Sequence, residues 1–451
     1  MSNLGGFLNT VKKRTIGFLN DIEAKGLPPL PSYNEILLRK YLEGELQNPI
    51  MATTRRPAYR AIVSPTAGGT DFTDIQKAVD YVNELGGGTI LIKSGTFSLT
   101  TDITLYENIT LQGENPSTAI IDFGDTAKSI KAVSGGDRPN MGTISISYNS
   151  KIITGVDTLW VNGGGEDEWP ANNLNAGDWI RLNNIWYQID TVDSDTQCTL
   201  LETYLGNGIS GASYQAGTML QDIRVIGLTI LRNTGVAGTN RGIDFQYIRN
   251  AVVKDVICRM RTGWGVYLSV CPNPIVSECV MNSCGGGVLI DSCNNSLIFS
   301  NEISNGGSSS GVGVQSNSQG TIVLGNDIST NSTGSLAAIY VAFTQEVRVI
   351  SNNIIGNKVD AIQLRGSNRC IISNNYVYDN GAKGINIGDT GWGGDNNIVV
   401  GNIFNNNDRG IFIGTSSCDK NIITSNVALS NTTANYTDNG TGTVAANNVT
   451  S

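Results

Sequence analysis

Short runs of alternating apolar and polar residues recur along the second half of the chain at a nearly constant interval. Each run opens with a small residue and continues as a strand-like segment such as GVYLSVC or GVLIDSC. The eight openings are Gly242, Gly265, Gly287, Gly311, Ala338, Ala361, Gly384 and Gly410. Subtracting neighbours gives spacings of 23, 22, 24, 27, 23, 23 and 26 residues. A unit of this size buries its apolar face by stacking on the next unit. The pattern therefore predicts an all-β fold, a right-handed parallel β-helix with one coil per unit.

The strand after each opening is predicted to alternate between the interior and the surface. The first and third residues after the opening are expected to point inward, and the second and fourth outward. The second positions form one outward column: Asp244, Tyr267, Leu289, Gly313, Tyr340, Gln363, Asn386 and Phe412. The fourth positions form another: Gln246, Ser269, Asp291, Gln315, Ala342, Arg365, Gly388 and Gly414. The sequence thus predicts a long outer face that mixes aromatic, amide and charged side chains.

A second set of polar residues recurs in the next strand of each coil. Its predicted members are Asp255, Glu278, Asn301, Asn326, Asn352, Asn374, Asn402 and Asn426. With coils stacked about 4.8 Å apart, these positions predict a ladder of turn residues. Their amides are expected to hydrogen-bond to neighbouring coils while the backbone adopts a left-handed conformation.

The first half of the chain predicts three further segments before the main β-helix of residues 219–451. Residues 1–55 contain two helix-like apolar patterns separated by a proline-rich break. They predict a helical N-terminal anchor to a larger partner or, alternatively, a cap over the open end of the β-helix. Residues 56–139 predict a capping helix and the first coils. Residues 140–218 predict a small inserted antiparallel β-domain, because short alternating strands are joined there by aspartate-rich turns.

Charge and composition disfavour several partners. Charged residues make up 15% of the chain, the net charge is -9 and the sequence pI is about 4.7. Nucleic acid would need a basic face, and an anionic membrane would attract one. No segment approaches the roughly 18 to 20 apolar residues that span a bilayer, and the N-terminus lacks the layout of a secretory signal. We therefore expect synthesis in the cytoplasm, no membrane insertion and no nucleic-acid partner.

The absence of histidine narrows the possible chemistry. It removes the usual general base, the usual zinc ligand and any Ser-His catalytic pair. The eight cysteines lack the closely spaced pairs of a metal site, so neither a metal nor a cofactor is predicted. Cys271 and Cys293 lie 22 residues apart at the same place in adjacent coils. They are expected to form a buried, reduced thiol stack rather than a disulfide or a metal site.

Two segments resemble known families. DFTDIQKAVDYV and the following GGGTILIKSGTF, within residues 71–97, are similar to the start of pectate-lyase-like parallel β-helices, which include phage tailspikes and polysaccharide-degrading enzymes. AGDWIR and the following WYQIDTVDSDTQCTL, within residues 176–200, are similar to a compact β-module of phage tail and fibre proteins. The first resemblance implies a helix that closes the N-terminal end, a homotrimer and a substrate groove on the strand face. The second implies a virion protein rather than a secreted enzyme.

The outward columns carry the residue types that bind carbohydrate. Aromatic rings stack on sugar rings, and amide and charged groups hydrogen-bond to hydroxyl groups. The candidate carbohydrate-binding residues are Tyr267, Tyr340, Gln363, Arg365 and Phe412. The alternative is an outer wall that packs against a neighbouring subunit, which uses the same residue types.

Two acidic pairs are weak candidates for glycoside hydrolysis, which needs carboxylates about 5 Å or about 6.5 to 9.5 Å apart. Asp255 and Glu278 fall at matching positions of adjacent coils, about 4.8 Å apart along the axis. Like charges this close would raise the pKa of one group. Asp244 and Asp291 lie two coils, or about 10 Å, apart. For both pairs the alternative is a solvated surface charge without a catalytic role.

Three functions follow from these observations. The leading hypothesis is a virion tailspike or fibre protein that attaches to other virion proteins through residues 1–55 and contacts host surface polysaccharide outside the cell. The second is a polysaccharide depolymerase, either a hydrolase or a lyase with a base such as Arg365 or Lys383. The third is a purely structural virion component.

Overall fold

The structure of the protein is a computed structural model. It describes residues 60–450 apart from 67–70, 135–136, 139–140, 162–173, 233–240, 261, 305, 308, 330–335 and 389–390. The anchor predicted over residues 1–55 lies outside the described residues.

Three long parallel sheets, which we call A, B and C, form an elongated shaft, and the chain visits them in this order in each coil. Sheet A consists of Arg60–Val63, Gly88–Ile92, Ile109–Gly113, Arg224–Ile226, Val252–Lys254, Ile275–Ser277, Leu297–Phe299, Ile322–Leu324, Arg348–Ile350, Ile371–Ser373, Ile398–Val400, Ile422–Thr424 and Val444–Ala446. Sheet B consists of Gly95–Ser98, Ala119–Asp122, Thr229–Arg232, Ile257–Met260, Val280–Asn282, Glu302–Ser304, Asp327–Ser329, Asn353–Ile355, Tyr376–Tyr378, Ile403–Asn405 and Val427–Leu429. Sheet C consists of Ile103–Thr104, Ile130–Val133, Arg241–Gln246, Trp264–Ser269, Gly286–Asp291, Val312–Gln315, Ile339–Ala342, Ile362–Arg365, Lys383–Ile387, Arg409–Ile413 and Ala434–Asp438. The predicted fold class, a right-handed parallel β-helix, is confirmed.

The interior of the shaft is a continuous apolar core built from the predicted inward positions. In sheet C, Val266, Val288 and Val312 follow three of the predicted openings and pair with one another in register. All three are fully buried. The openings therefore stand in one column, and alternate residues of the strand face outward as the sequence predicts.

A ladder of buried asparagines runs through the turn between sheets A and B. Its described members are Asn301, Asn326, Asn352, Asn375, Asn402 and Asn426. The pattern repeats from coil to coil, as the side-chain amide and the backbone N–H of Asn326 show. Both donate to Oδ1 of Asn352 at 2.9 Å. These bonds satisfy polar groups that are buried in the turn.

Three predicted members of this ladder are wrong. Asn374, Asp255 and Glu278 stand one residue before the buried position, where φ is 55°, 53° and 57°. The left-handed backbone at this place directs the side chain away from the core, and the next residue turns inward. After Glu278 the buried place is held by Cys279, whose N–H donates to Oδ1 of Asn301 at 3.0 Å.

One helix, α1 (Ile75–Glu84), covers the N-terminal end of the described shaft. Its N-cap is Asp74, whose side chain accepts a hydrogen bond from the backbone N–H of Lys77. The buried face of Ile75, Ala78, Val79 and Val82 packs on the first coils. The predicted capping helix is therefore present. Among the described residues, no helix is both long and apolar enough to cross a bilayer.

The inserted β-domain is an eight-stranded antiparallel unit within one turn between sheets C and A. Its strands are Asp137–Arg138, Thr143–Ile146, Ser150–Val156, Trp179–Leu182, Ile185–Ser194, Gln197–Tyr204, Ile209–Ala212 and Gln215–Gly217. They enclose a separate apolar core that includes Trp160, Ile180 and Tyr204. The chain leaves the shaft after Ile130–Val133 and rejoins it at a two-stranded pair of Leu220–Gln221 with Ile248–Arg249.

Candidate functional site

The outer face of sheet C brings the predicted outward columns together, but not all of their residues reach solvent. Tyr340 and Gln363 pair in register on adjacent coils, and they are only 6% and 8% exposed. Their rings and amides therefore support the surface more than they offer it. Tyr267 and Phe412 are half-buried, and each is involved in contacts with basic side chains.

The first cluster on this face surrounds Tyr267. The guanidinium group of Arg241 lies over the tyrosine ring, 3.3 Å from its centroid, and donates to both carboxylate oxygens of Asp244 at 2.8 and 2.9 Å. Asp291 stands two coils further and accepts from the hydroxyl group of Ser292 at 3.3 Å. Burial is the main cause that raises the pKa of Tyr267, and the carboxylates of Asp291 and Asp244 act in the same direction. The two aspartates therefore flank one phenol, although they belong to different columns.

Trp264 forms a wall beside this cluster. It pairs with Gly286 in sheet C, and a Cβ on Gly286 would lie 2.6 Å from Cε3 of the indole. A Cβ on Gly313, one coil further, would lie 3.5 Å from Cη2. The indole thus runs along the axis over two glycines, because a side chain at either position would occupy its space.

The second cluster lies at the edge of sheet C, where the chain turns towards sheet A. Phe343 and Trp392 pack edge to face, with centroids 4.8 Å apart and an interplanar angle of 83°. They are 41% and 47% exposed. The guanidinium group of Arg365 lies 5.7 Å from the centre of the Phe343 ring and 3.4 Å from the hydroxyl oxygen of Tyr340. We call Phe343, Arg365 and Trp392 the aromatic corner.

Gly366 makes the aromatic corner possible. Trp392 reaches back along the axis to Phe343, which lies two coils earlier, and Gly366 belongs to the coil between them. Its φ is +56°, and a Cβ there would meet Cδ1 of Phe343 at 3.0 Å and Cε3 of Trp392 at 3.9 Å. A residue with a side chain would therefore be strained and would crowd both rings.

A third group of contacts surrounds Phe412. The ammonium group of Lys383 and the guanidinium group of Arg409 lie 5.1 and 5.0 Å from the ring centre. Lys383 also lies 3.5 Å from the carboxylate of Asp360, and that carboxylate accepts from the amide of Asn386 at 2.7 Å. Lys383, predicted as a possible proton acceptor of a lyase, is thus held in an ion pair.

The predicted acidic pair Asp255 and Glu278 lies elsewhere, at the corner between sheets A and B. Lys254 lies 3.2 Å from Glu278. Burial, followed by the charge of Glu278, raises the pKa of Asp255, and Lys254 opposes the shift. The pair thus has the like-charge interaction that the sequence predicts. The A–B corner does not border sheet C, so these carboxylates do not act on a chain bound along that sheet.

Asp255 makes a testable contribution to the pH dependence of stability. Its pKa is raised in the folded state, so protonation favours folding, and this stabilisation is lost as the pH rises through the folded-state pKa. We expect Asp255→Asn to be more stable than the wild type at pH 7, by less than about 1 kcal/mol because solvent screens the site. The difference should disappear below the ordinary pKa of 3.8. Thermal melting curves from pH 3 to 8 measure this, and a difference that grows on acidification would contradict it.

The cysteines take no part in these clusters. All eight are buried and free, and the backbone N–H of Cys271 donates to Sγ of Cys293 at 3.1 Å, as expected for a reduced thiol stack. Burial raises the pKa of Cys279 and of Cys284 to about 12. Within the described ranges no three His, Cys, Asp or Glu side chains are grouped so as to hold a metal ion.

Three aromatic residues of this face are absent from the sequence-based candidates. Trp264 precedes an opening by one residue, Phe343 follows the fourth outward position, and Trp392 lies between two strands. A signal for Trp392 was present in the spacing of 26 residues between Gly384 and Gly410. The extra residues lengthen the turn between sheets C and A, and this turn carries the indole.

Comparisons with known proteins agree on the fold. Residues 248–450 match the family model described as NosD, periplasmic copper-binding protein. The tailspike gp49 of Pseudomonas phage LKA1 is similar in structure, with 13% identity, 83% of this chain and 71% of that chain covered, and a TM-score of 0.50. The A-module of the mannuronan C-5 epimerase AlgE6 of Azotobacter vinelandii has 15% identity, 82% and 94% coverage, and a TM-score of 0.48. The tailspike of E. coli bacteriophage HK620, solved with a hexasaccharide, has 14% identity, 78% and 60% coverage, and a TM-score of 0.45. No curated protein sequence matches.

These comparisons define the class by its fold. The chain is a right-handed β-helix of the pectate-lyase-like type, a fold that it shares with phage tailspikes and epimerases.

Proposed function

We propose that this protein is a virion-associated tailspike-like or fibre-like protein that contacts host surface polysaccharide through the outer face of sheet C. The observation that carries the proposal is the aromatic corner, where two rings remain more than 40% exposed beside a guanidinium group. Large exposed rings at defined positions are typical of binding sites rather than of a solvated surface.

The chemistry of the face suits a sugar chain. The rings of Phe343 and Trp392 offer apolar surfaces for sugar faces, and Arg365 offers donors for hydroxyl groups. Trp264 and Tyr267 lie on the same sheet, so a bound chain could follow the shaft axis and contact both clusters. The sheet is rigid because each strand pairs with neighbours on both sides, which reduces the entropy lost on binding.

The virion part of the proposal has separate support. The segments within residues 71–97 and 176–200 resemble tailspike and tail-fibre proteins, and the LKA1 tailspike shares the fold. In this proposal residues 1–55 attach the protein to other virion or tail proteins, the assembly is a homotrimer, and the shaft acts outside the cell. Detection of the chain in purified virus particles tests this part.

The aromatic corner can be tested by substitution. On an array of bacterial surface polysaccharides, Trp392→Ala and Phe343→Ala are each expected to weaken glycan binding about five-fold or more, because each ring contributes about 1 kcal/mol or more through stacking. Binding constants for the best glycan, measured by biolayer interferometry, give the size of the effect. New reducing ends in the same incubation would identify cleavage and favour the depolymerase alternative.

Tyr376 and Tyr378 supply a matched control. They are exposed to a similar extent, 42% and 38%, but lie on sheet B. Alanine at either position should leave glycan binding unchanged. Equal losses from both sheets would move the binding site away from the aromatic corner. A wild-type protein that binds no glycan would overturn the proposal and leave a structural role.

A further inference from the structure

The inserted β-domain contains a cavity that the shaft does not provide. Its volume is about 350 Å³, and it is lined by Arg181, Asn183, Asn184, Ser213, Tyr214 and Gln215. We call it the insert cavity. This size lies within the range of small-molecule sites, and no carboxylate is among the six described residues that line it. The local charge is therefore positive in a protein whose net charge is -9.

The cationic wall of the insert cavity is held in place. Arg181 pairs with Gln215 on the neighbouring strand, and its guanidinium group donates to Oε1 of Gln215 at 2.8 Å. The guanidinium carbon lies 6.0 Å from the centre of the Trp186 ring. A guanidinium group has five N–H donors in one plane, so it can hold Gln215 and also bind a carboxylate through two parallel hydrogen bonds.

The other walls are equally fixed. The hydroxyl group of Tyr214 accepts from Nε1 of Trp160 at 2.9 Å and donates to the carbonyl group of Met141 at 3.2 Å. The amide of Asn183 donates to the hydroxyl oxygen of Tyr204 at 2.6 Å. The carbonyl group of Asn184 accepts from the side chain of Asn294 on the shaft. The cavity is thus preformed, and its amide and hydroxyl groups match the hydroxyl groups of a sugar.

We infer that the insert cavity binds a carboxylate-bearing sugar, with Arg181 as the carboxylate-binding residue. This is a second site, separate from the outer face of sheet C, and it takes an acidic ligand. The guanidinium group supplies the charge-assisted bonds, and the surrounding neutral groups bind the sugar hydroxyls. Binding should weaken as salt is added, because the cavity is open to solvent and ions screen the charge.

The test uses the full-length protein with D-glucuronate and N-acetylneuraminate as probes, and D-glucose and N-acetylglucosamine as neutral counterparts. Titrations followed by ligand-observed NMR should show binding of at least one acidic sugar, with the neutral sugars at least ten-fold weaker. Arg181→Gln should weaken acidic-sugar binding about ten-fold or more, as expected for the loss of hydrogen bonds to a charged group. Arg181→Lys should fall between the two, since lysine keeps the charge but not the planar fork.

Two further variants protect the result against a folding defect. Ser213 is exposed at the rim, and Ser213→Leu should reduce binding by filling the cavity without removing the charge. Arg259→Gln, at an exposed arginine of sheet B, should leave binding unchanged. The inference is overturned if neither acidic sugar binds, if neutral sugars bind as well, or if Arg181→Gln and Ser213→Leu both bind like the wild type. Trp392→Ala should not alter this binding, so the inference and the proposed function fail independently.

Discussion

Asn352→Ala is expected to destabilise the shaft by about 2 to 4 kcal/mol. Oδ1 of Asn352 accepts from both the backbone N–H and the side-chain amide of Asn326, each at 2.9 Å. The amide of Asn352 donates to the carbonyl group of Val323 at 2.9 Å and to Oδ1 of Asn375 at 3.0 Å. Alanine removes all of these bonds and leaves buried donors without acceptors, each of which costs about 1 to 3 kcal/mol. Urea denaturation and hydrogen exchange at the Asn326 amide measure the effect.

Asn353 is the control for this substitution. It is the next residue in the chain, it points outward, and its amide donates to Asp327 at 3.2 Å on a half-buried surface. Asn353→Ala should cost less than about 1 kcal/mol, because water can replace the lost bond. If the two alanine variants unfold at the same urea concentration, the buried amide ladder is not a main source of stability.

Gly287→Ala is expected to cost about 3 kcal/mol, although it adds only a methyl group. A Cβ at this position would lie 2.3 Å from the carbonyl oxygen of Gly311 and 2.7 Å from Cγ2 of Ile303. The first contact is with the backbone of the next coil, so no side-chain rotation relieves it, and overpacking of this kind typically costs about 1 to 3 kcal/mol. The urea midpoint and the yield of soluble protein should both fall.

Gly208 provides the matched substitution. A Cβ there would meet only the carbonyl oxygen of Ile146, at 3.7 Å, which is an ordinary contact. Gly208→Ala should change stability by less than about 0.5 kcal/mol. Equal stability of the two variants would mean that the coils separate easily and that the close approach at Gly287 is not required.

The stacking of coils was predictable because it depends on repetition. A small residue followed by alternating apolar residues specifies the opening of a strand, and the structure places Val266, Val288 and Val312 in one column as expected. The capping helix was predictable from local signals, an aspartate N-cap and an apolar face. In both cases the information lies within a few residues of the chain.

The exact register of the asparagine ladder was not predictable at every coil. Where Asn374 is followed by Asn375, two identical side chains compete for one buried position, and only the left-handed turn decides which of them points inward. Asp255 and Glu278 occupy the outward position, and the residue that follows each of them is apolar. The sequence pattern alone does not separate these two neighbouring places.

The candidate site was predicted in outline only. The strand periodicity correctly placed Tyr340, Gln363 and Arg365 on one outer face, but it does not report how much of each side chain the neighbours cover. Phe343 and Trp392 meet across two coils, and this contact depends on the path of a turn that periodicity does not describe. The insert cavity depends on antiparallel pairing between Arg181 and Gln215, which are 34 residues apart.

The inserted β-domain and the turn that carries Trp392 leave the shaft at the same edge, between sheets C and A. Val133 still pairs with Gln246 before the insertion, and Arg224 with Val252 after it, so about ninety residues interrupt a coil without displacing its neighbours. Segments of any length can therefore be exchanged at this edge while the hydrogen-bonded shaft stays the same. Such a division lets ligand preference change between related proteins through turn exchange, with no need to redesign the core.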